Sequence, residues 1–224
     1  RDALPLTVEA KGKDVISQSE AMYVNLLAAG LRAAEGSPVR EYVDAAMTSA
    51  SKILECANDD GGFSWFEGMK SSPIVTAVVL ERFAGLRDRK LLNLVSEELG
   101  EDALDTFDEA VTSAVRYMDS VYFGDPDRPV WYGCISLWQY LNVRSMYVGV
   151  SFDEQAARKA IGTKEYNEFK KAVKSYLVPK KGERWSEGAI LSKVRMIRVI
   201  DALIGSEQGM ALAKAWGVSS DRKL

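Results

Sequence analysis

The chain has 224 residues, 47% of them hydrophobic and 27% charged, with a formal net charge of −3. That is enough apolar chain for one sizeable core, or at most two small ones, and too little clustered Lys and Arg for a nucleic-acid partner, because phosphate binding needs a basic face. There is no His, and Cys56 and Cys134 are the only cysteines, which excludes Ser-His-Asp and Cys-His catalysis, a Cys-built zinc site and a disulfide framework. No metal and no cofactor are therefore expected; whether the two cysteines pair stays open.

No apolar stretch approaches the roughly 20 residues that span a bilayer. The longest run, residues 74–80, is interrupted by Thr76. An N-terminus of Arg-Asp-Ala-Leu-Pro without Met reads as a piece of a much longer polypeptide, so one domain over 1–224 within a larger parent is expected.

In chain order, the apolar residues recur at helical spacing almost everywhere. A first helix is predicted over 17–34. Gly36 breaks it, and Ser37-Pro38 reads as N-cap and first position of a second helix, whose stripe is Val39, Tyr42, Val43, Ala46, Met47, Ala50, Ile53, Leu54 and Ala57. Ser72-Pro73 opens the next in the same way. Further helices are predicted over 88–98, 104–122, 133–148, 153–161, 163–177, 187–204 and 206–216, with Gly124, Gly162, Gly182 and Gly205 between them. No stretch alternates well enough for a strand. The fold class read from this is all-α.

A loose repeat runs through the chain: three turn-rich segments, carrying Trp65, Trp131 and Trp185, each precede a long apolar helix. Stacked helical hairpins of this kind, closing on themselves, make an α/α toroid, here incomplete because the chain is short. Each Trp is expected to plug one end of the ring, burying its large apolar face.

The most informative segment is Asp59-Asp60-Gly61-Gly62-Phe63-Ser64-Trp65-Phe66-Glu67-Gly68, followed by Ser71-Ser72-Pro73-Ile74-Val75-Thr76-Ala77-Val78-Val79-Leu80. It resembles the "DGGF-W-F-G" turn, "SSP" helix start and "TA-VL" inner helix of the thioester-type domain in bacterial alpha-2-macroglobulin-like proteins. The chemistry of the residues agrees: paired glycines permit positive φ and close backbone approach. Tyr23-Val24-Asn25-Leu26-Leu27-Ala28 resembles an early helix of that domain, and Tyr140-Leu141-Asn142-Val143-Arg144-Ser145-Met146-Tyr147 a later one.

Members that trap proteases covalently carry a Cys followed by a Gln three residues later. Here Cys56 is followed at that distance by Asp59 and Cys134 by Leu137, and the early helix carries Asp14-Val15-Ile16-Ser17-Gln18-Ser19-Glu20. Tyr132-Gly133-Cys134 follows the Gly-Gly turn instead of preceding it. The resemblance thus implies a thioester-less, non-enzymatic domain of an envelope-associated (periplasmic or cell-surface) protease inhibitor. Its partners would be proteases and the other domains of its own parent, and it would act by conformational trapping or as a scaffold.

The remaining groups have plainer readings. Cys56 and Cys134 read as core cysteines, and Asp59, Asp60, Asp125 and Asp127 as turn formers rather than metal ligands. Glu97, Glu98, Glu101, Asp102, Asp105, Asp108 and Glu109 suit helix starts, where carboxylates favour the dipole. Arg195, Arg198 and Asp201 read as a salt-bridged surface, and Lys170, Lys171, Lys174, Lys180 and Lys181 as a solvated face and turn. The alternative is a carbohydrate-active or terpenoid-type toroid enzyme. Its cavity would be lined by Trp65, Phe66, Trp131, Tyr132, Trp138 and Trp185, with Asp60 or Glu67 opposite Asp125 or Glu183.

Overall fold

The structure, a computed structural model, describes residues 9–124, 135–177 and 190–218. Among these residues it is all-helical, and its one extended pairing is an isolated antiparallel bridge between Ala57 and Phe63. The chain divides into two compact units between Tyr117 and Met118.

The first unit holds α1 (Val15–Ala33), α2 (Arg40–Leu54), α3 (Pro73–Asp88), α4 (Asn93–Leu99), a 3-10 turn over Glu101–Leu104 and the first part of α5 (Asp105–Gly124). α1 packs on α2, α3 and α4. Val15, Met22, Leu26 and Ala29 recur at three, four and seven along α1 and are all buried, so the periodicity lies in the core. Val43, Ala46, Ala50 and Ile53 of α2 and Val75, Val79, Leu80 and Phe83 of α3 complete it. The ring of Phe83 meets Phe107 of α5 at a centroid distance of 4.4 Å.

Two boundaries differ from the sequence expectation, for one reason. Ser37 does not cap α2. Its N–H closes α1 on the carbonyl of Arg32, while the N–H of Gly36, at φ +68°, reaches Ala33; this is a Schellman end. α2 therefore starts at Arg40, with Val39 as N-cap and no side-chain cap bond. The helix expected over 88–98 is likewise cut. Lys90 adopts φ +56° so that Leu91 N–H reaches Leu86 and Lys90 N–H reaches Arg87, which ends α3, and α4 begins at Asn93. A left-handed Lys is costly, by about 1–2 kcal/mol, so these two bonds hold it there.

The second unit contains the end of α5, α6 (Leu137–Ser145), α7 (Glu154–Ile161), α8 (Thr163–Leu177), α9 (Ile190–Ile204) and α10 (Glu207–Ala215). Ser136 and Gln139 form a reciprocal capping box at α6, Asp153 caps α7 and Ser206 caps α10. α6 and α10 pack on α9, and α7 on α8. The core is aromatic: Tyr122 stacks on Tyr140 at 4.1 Å, Phe123 meets Phe169 edge-on at 5.0 Å, and Trp216 lies 5.9 Å from Tyr140.

Candidate functional site

The segment that carries the family resemblance is a hydrogen-bonded turn between α2 and α3. Asn58 N–H donates to the Gly62 carbonyl at 3.0 Å and Gly61 N–H to the Asn58 carbonyl at 2.8 Å. Fully buried Phe63 follows. Its N–H donates to Thr76 Oγ1 at 2.8 Å, and its carbonyl accepts from Ser72 N–H at 2.9 Å. Both backbone groups of this buried residue are thereby satisfied by the start of α3, as burial requires. Ser72 also caps α3, as its sequence position predicts.

Asp60 is a turn former. One carboxylate oxygen accepts from Gly62 N–H at 3.0 Å and from Ser71 Oγ at 2.6 Å. Asn58 Nδ2 donates to the Met69 carbonyl and to Ser71 Oγ, each at 2.9 Å. Trp65 contributes through its backbone, its carbonyl accepting the N–H of Val15 at the start of α1 at 3.0 Å. Asp59 is exposed.

The glycines are there because α5 comes close. Gly61 has φ +84°, and a Cβ on it would sit 2.7 Å from the Ser113 carbonyl oxygen. A Cβ on Gly62 would lie 2.6 Å from Ser71 Cβ and 2.7 Å from the Tyr117 ring. Gly68, at φ +76°, has open space around it. The first two allow contact with a helix backbone and side chains; the third serves only its own φ.

Trp65 does not plug a core: it is 45% exposed, with Phe66 at 48% and Met69 at 49%. The course of the turn explains this. Phe63 and Ser64 point inward, and residues 65–70 form its outer tip. The fully buried aromatic here is Phe63, and in the second unit Trp216 is fully buried. Trp131 and Trp185, together with Asp125, Asp127, Tyr132, Cys134, Lys180, Lys181 and Glu183, lie outside the described residues.

Cys56 is buried at the base of the turn, and burial pushes its thiol above its ordinary value, with Glu55, Glu67 and Asp14 adding in the same direction. A thiol with its thiolate disfavoured on every side is a poor nucleophile.

Of the acidic residues expected at helix starts, Asp105 and Asp108 are in the first turn of α5 and Glu101 and Asp102 in the first turn of the 3-10 helix, whereas Glu97 and Glu98 lie in the last turn of α4, where the dipole disfavours them. With Glu109, Thr112, Ser113 and Arg116, Asp105 and Asp108 line an open groove of about 530 Å³. Burial raises Asp108, the charge of Asp105 adds to this, and Arg87 opposes it. Among the described residues, no three His, Cys, Asp or Glu side chains are placed to share a metal ion.

A buried ionic cluster in the second unit was not singled out by sequence. Arg144, 1% exposed, donates from Nε to both carboxylate oxygens of Asp119 at 3.0 and 3.1 Å. Its terminal nitrogens donate to the carbonyls of Tyr147 and Val150, each at 2.7 Å, and Tyr140 Oη donates to Asp119 at 2.7 Å. Burial raises Asp119 against the opposing pull of Arg144 and Tyr140, pushes Tyr122 up to about 12 and holds Tyr140 well above its ordinary value. Arg144, Asp119 and Tyr140 are bonded to one another and to the carbonyls of Tyr147 and Val150, and their effect is to pin the chain over residues 147–150 to α5 and α6. The signal was present as two charged residues set within apolar helical stripes, Asp119 beside Met118 and Tyr122, and Arg144 beside Leu141 and Val143.

The surfaces read as solvated are partly so. Lys171 pairs with Glu168 at 2.7 Å and Lys170 with Glu154 at 2.8 Å. Arg195 lies 4.7 Å over the ring of Trp138, a cation–π contact. Among the described residues no helix is long and apolar enough to cross a membrane. Comparison with known proteins finds no matching family model, no matching curated protein and no matching solved structure.

Proposed function

We propose that this chain is a non-enzymatic domain of an envelope-associated, alpha-2-macroglobulin-like protease inhibitor that traps proteases by conformational change without a covalent thioester. Its helices would form part of an α/α toroid, and the domain acts as a rigid packing module. A protease cuts a bait segment elsewhere in the parent, and the domains close around it.

The observation that carries this reading is the turn over residues 56–76. Its backbone and side-chain bonds are internally satisfied, and it holds Trp65, Phe66 and Met69 outward. Rigid exposed aromatics are what a surface that packs against another domain needs, since little ordering entropy is lost on docking. The same turn speaks against the enzyme alternative at Asp60, one of whose carboxylate oxygens is engaged by Gly62 and Ser71. Buried Cys56, with its thiol raised, fits a domain that forms no acyl bond.

The test is an immunoblot of fractionated source cells with an antibody to this domain. A band far above 24.7 kDa in the envelope fraction is expected. A free cytoplasmic protein of about this chain's own mass overturns the reading.

A further inference from the structure

Helix α9 has two apolar faces where a surface helix needs one. Val199 and Leu203 are buried within the second unit. Ile190 is 75% exposed, and Val194, Ile197 and Ile204 are each at least half exposed. These four, with exposed Asp201, recur at three and four along the helix and form a single narrow stripe, the spacing of a helix–helix seam. A β-branched stripe of this kind left in water is an interaction surface rather than scattered exposure.

Two charges, Asp201 in the stripe and Lys193 on one flank, point to its occupant, while Arg198 lies on the other flank. Ile197 is the midpoint of α9 (Ile190–Ile204). An antiparallel pair of α9 helices related by a two-fold axis at Ile197 sets Ile190 opposite the partner's Ile204 and Ile197 opposite its own counterpart. Lys193, on the flank, then faces the partner's Asp201. Symmetry makes each of these pairs twice, so the surface is complementary to itself, as a two-fold interface demands. Parallel pairing in register would set Asp201 on Asp201 and Lys193 on Lys193, like charge on like.

We propose that this face of α9 is a self-association surface whose occupant is α9 of a second copy of the chain, antiparallel and centred on Ile197. The inference does not rest on the function proposed above. One helix pair of this length falls short of the roughly 1,200–2,000 Å² of a standard stable interface. The dimer is therefore weak, with a Kd on the order of tens of micromolar.

Sedimentation equilibrium of the full 224-residue chain from about 1 to 500 µM tests it. A monomer–dimer equilibrium is expected. Ile197→Glu sets two carboxylates against each other on the axis and leaves a monomer throughout. Because the side chain is exposed, its circular dichroism matches that of the wild type. Lys193→Glu faces the partner's Asp201 with a like charge at both sites and raises Kd about five- to tenfold, the effect of two exposed pairs. Adding Asp201→Lys restores the opposite-charge pairs and returns Kd to within about twofold. A monomer at every concentration overturns the proposal. So does a dimer indifferent to Ile197→Glu, or a double variant no tighter than Lys193→Glu alone.

Discussion

Gly61→Ala is the sharpest probe of the turn, because two separate costs meet at one atom. The residue sits at φ +84°, where an L side chain is strained by about 1–2 kcal/mol. The added Cβ would also lie 2.7 Å from the Ser113 carbonyl oxygen, which belongs to the backbone of α5 and cannot rotate aside. Crowding of this kind costs a further 1–3 kcal/mol or so. The stiffer unfolded chain offsets about 0.4–1 kcal/mol, which leaves a net destabilisation of about 2–4 kcal/mol. Gly68→Ala is the control. Its φ is +76° but nothing lies within 4 Å, so only the strain remains and the net cost is about 1 kcal/mol or less. Urea unfolding followed by circular dichroism gives both numbers, and hydrogen exchange of the peptide over 56–76 localises them to the first unit. Equal losses for the two variants would refute the claim that Gly61 is a glycine because α5 lies against it.

Thr76→Val keeps the shape but leaves the buried Phe63 N–H without its acceptor; a loss of about 1–3 kcal/mol in urea unfolding is expected, with Thr76→Ser near wild type. Arg144→Met leaves the Asp119 carboxylate without its partner in an apolar core and costs about 3–5 kcal/mol, more than Asp119→Asn, which leaves Arg144 its two carbonyl acceptors. Asp119 is raised in the folded state, so the fold holds that proton more readily than the unfolded chain does. Its contribution to stability is full below the ordinary carboxylate range and falls as pH rises through the raised value. Unfolding measured across that range should show the fall, and Asp119→Asn should remove it. Lys90→Gly relieves a left-handed Lys and should raise stability by about 0.5–1 kcal/mol, read as a higher urea midpoint; a lower midpoint counts against the Schellman reading of the end of α3. Cys56 should resist iodoacetamide in the native protein and react fully in urea, with peptide mass spectrometry separating it from Cys134; rapid native alkylation of Cys56 contradicts its burial.

The helical fold was legible because its signal is summed over many residues. Val15, Met22, Leu26 and Ala29 lie at helical spacing and are buried at helical spacing, and the Ser72 cap is read from a single letter with a fixed mechanism. What failed to show was anything decided by one amide. Ser37 has the right chemistry for an N-cap of α2, but its N–H is committed to Arg32 at the end of α1, and no local pattern reveals that commitment. Lys90 ends a helix without being Gly or Asn, so the usual stop signal is missing. The Gly61-Gly62 turn was legible in kind, close approach at positive φ, but not in what approaches, since Ser113 and Tyr117 are far along the chain. The Asp119–Arg144 pair was hidden because a charge inside an apolar stripe gives no direction to its partner.

Trp65 shows why a large aromatic is a poor guide to the core on its own. Its burial was expected from its area, yet the turn spends its inward positions on Phe63 and Ser64, whose backbone groups are met by Thr76, Ser72 and Cys56. Trp65 then keeps its backbone tied to Val15 and about half of its surface in solvent. A flexible loop could show the same aromatics, but would lose conformational freedom on docking. This one is fixed by Asp60, Asn58 and Ser71 before any partner arrives. If the tip docks, loosening the turn without touching it, by Asp60→Ala, would therefore weaken that docking through entropy while leaving Trp65, Phe66 and Met69 chemically intact. Replacing Trp65 by Ala removes contact area and leaves the turn fixed. If the tip packs against a neighbouring domain, both variants loosen that contact in the parent protein, and only Asp60→Ala also increases hydrogen exchange over residues 56–76 in the isolated chain.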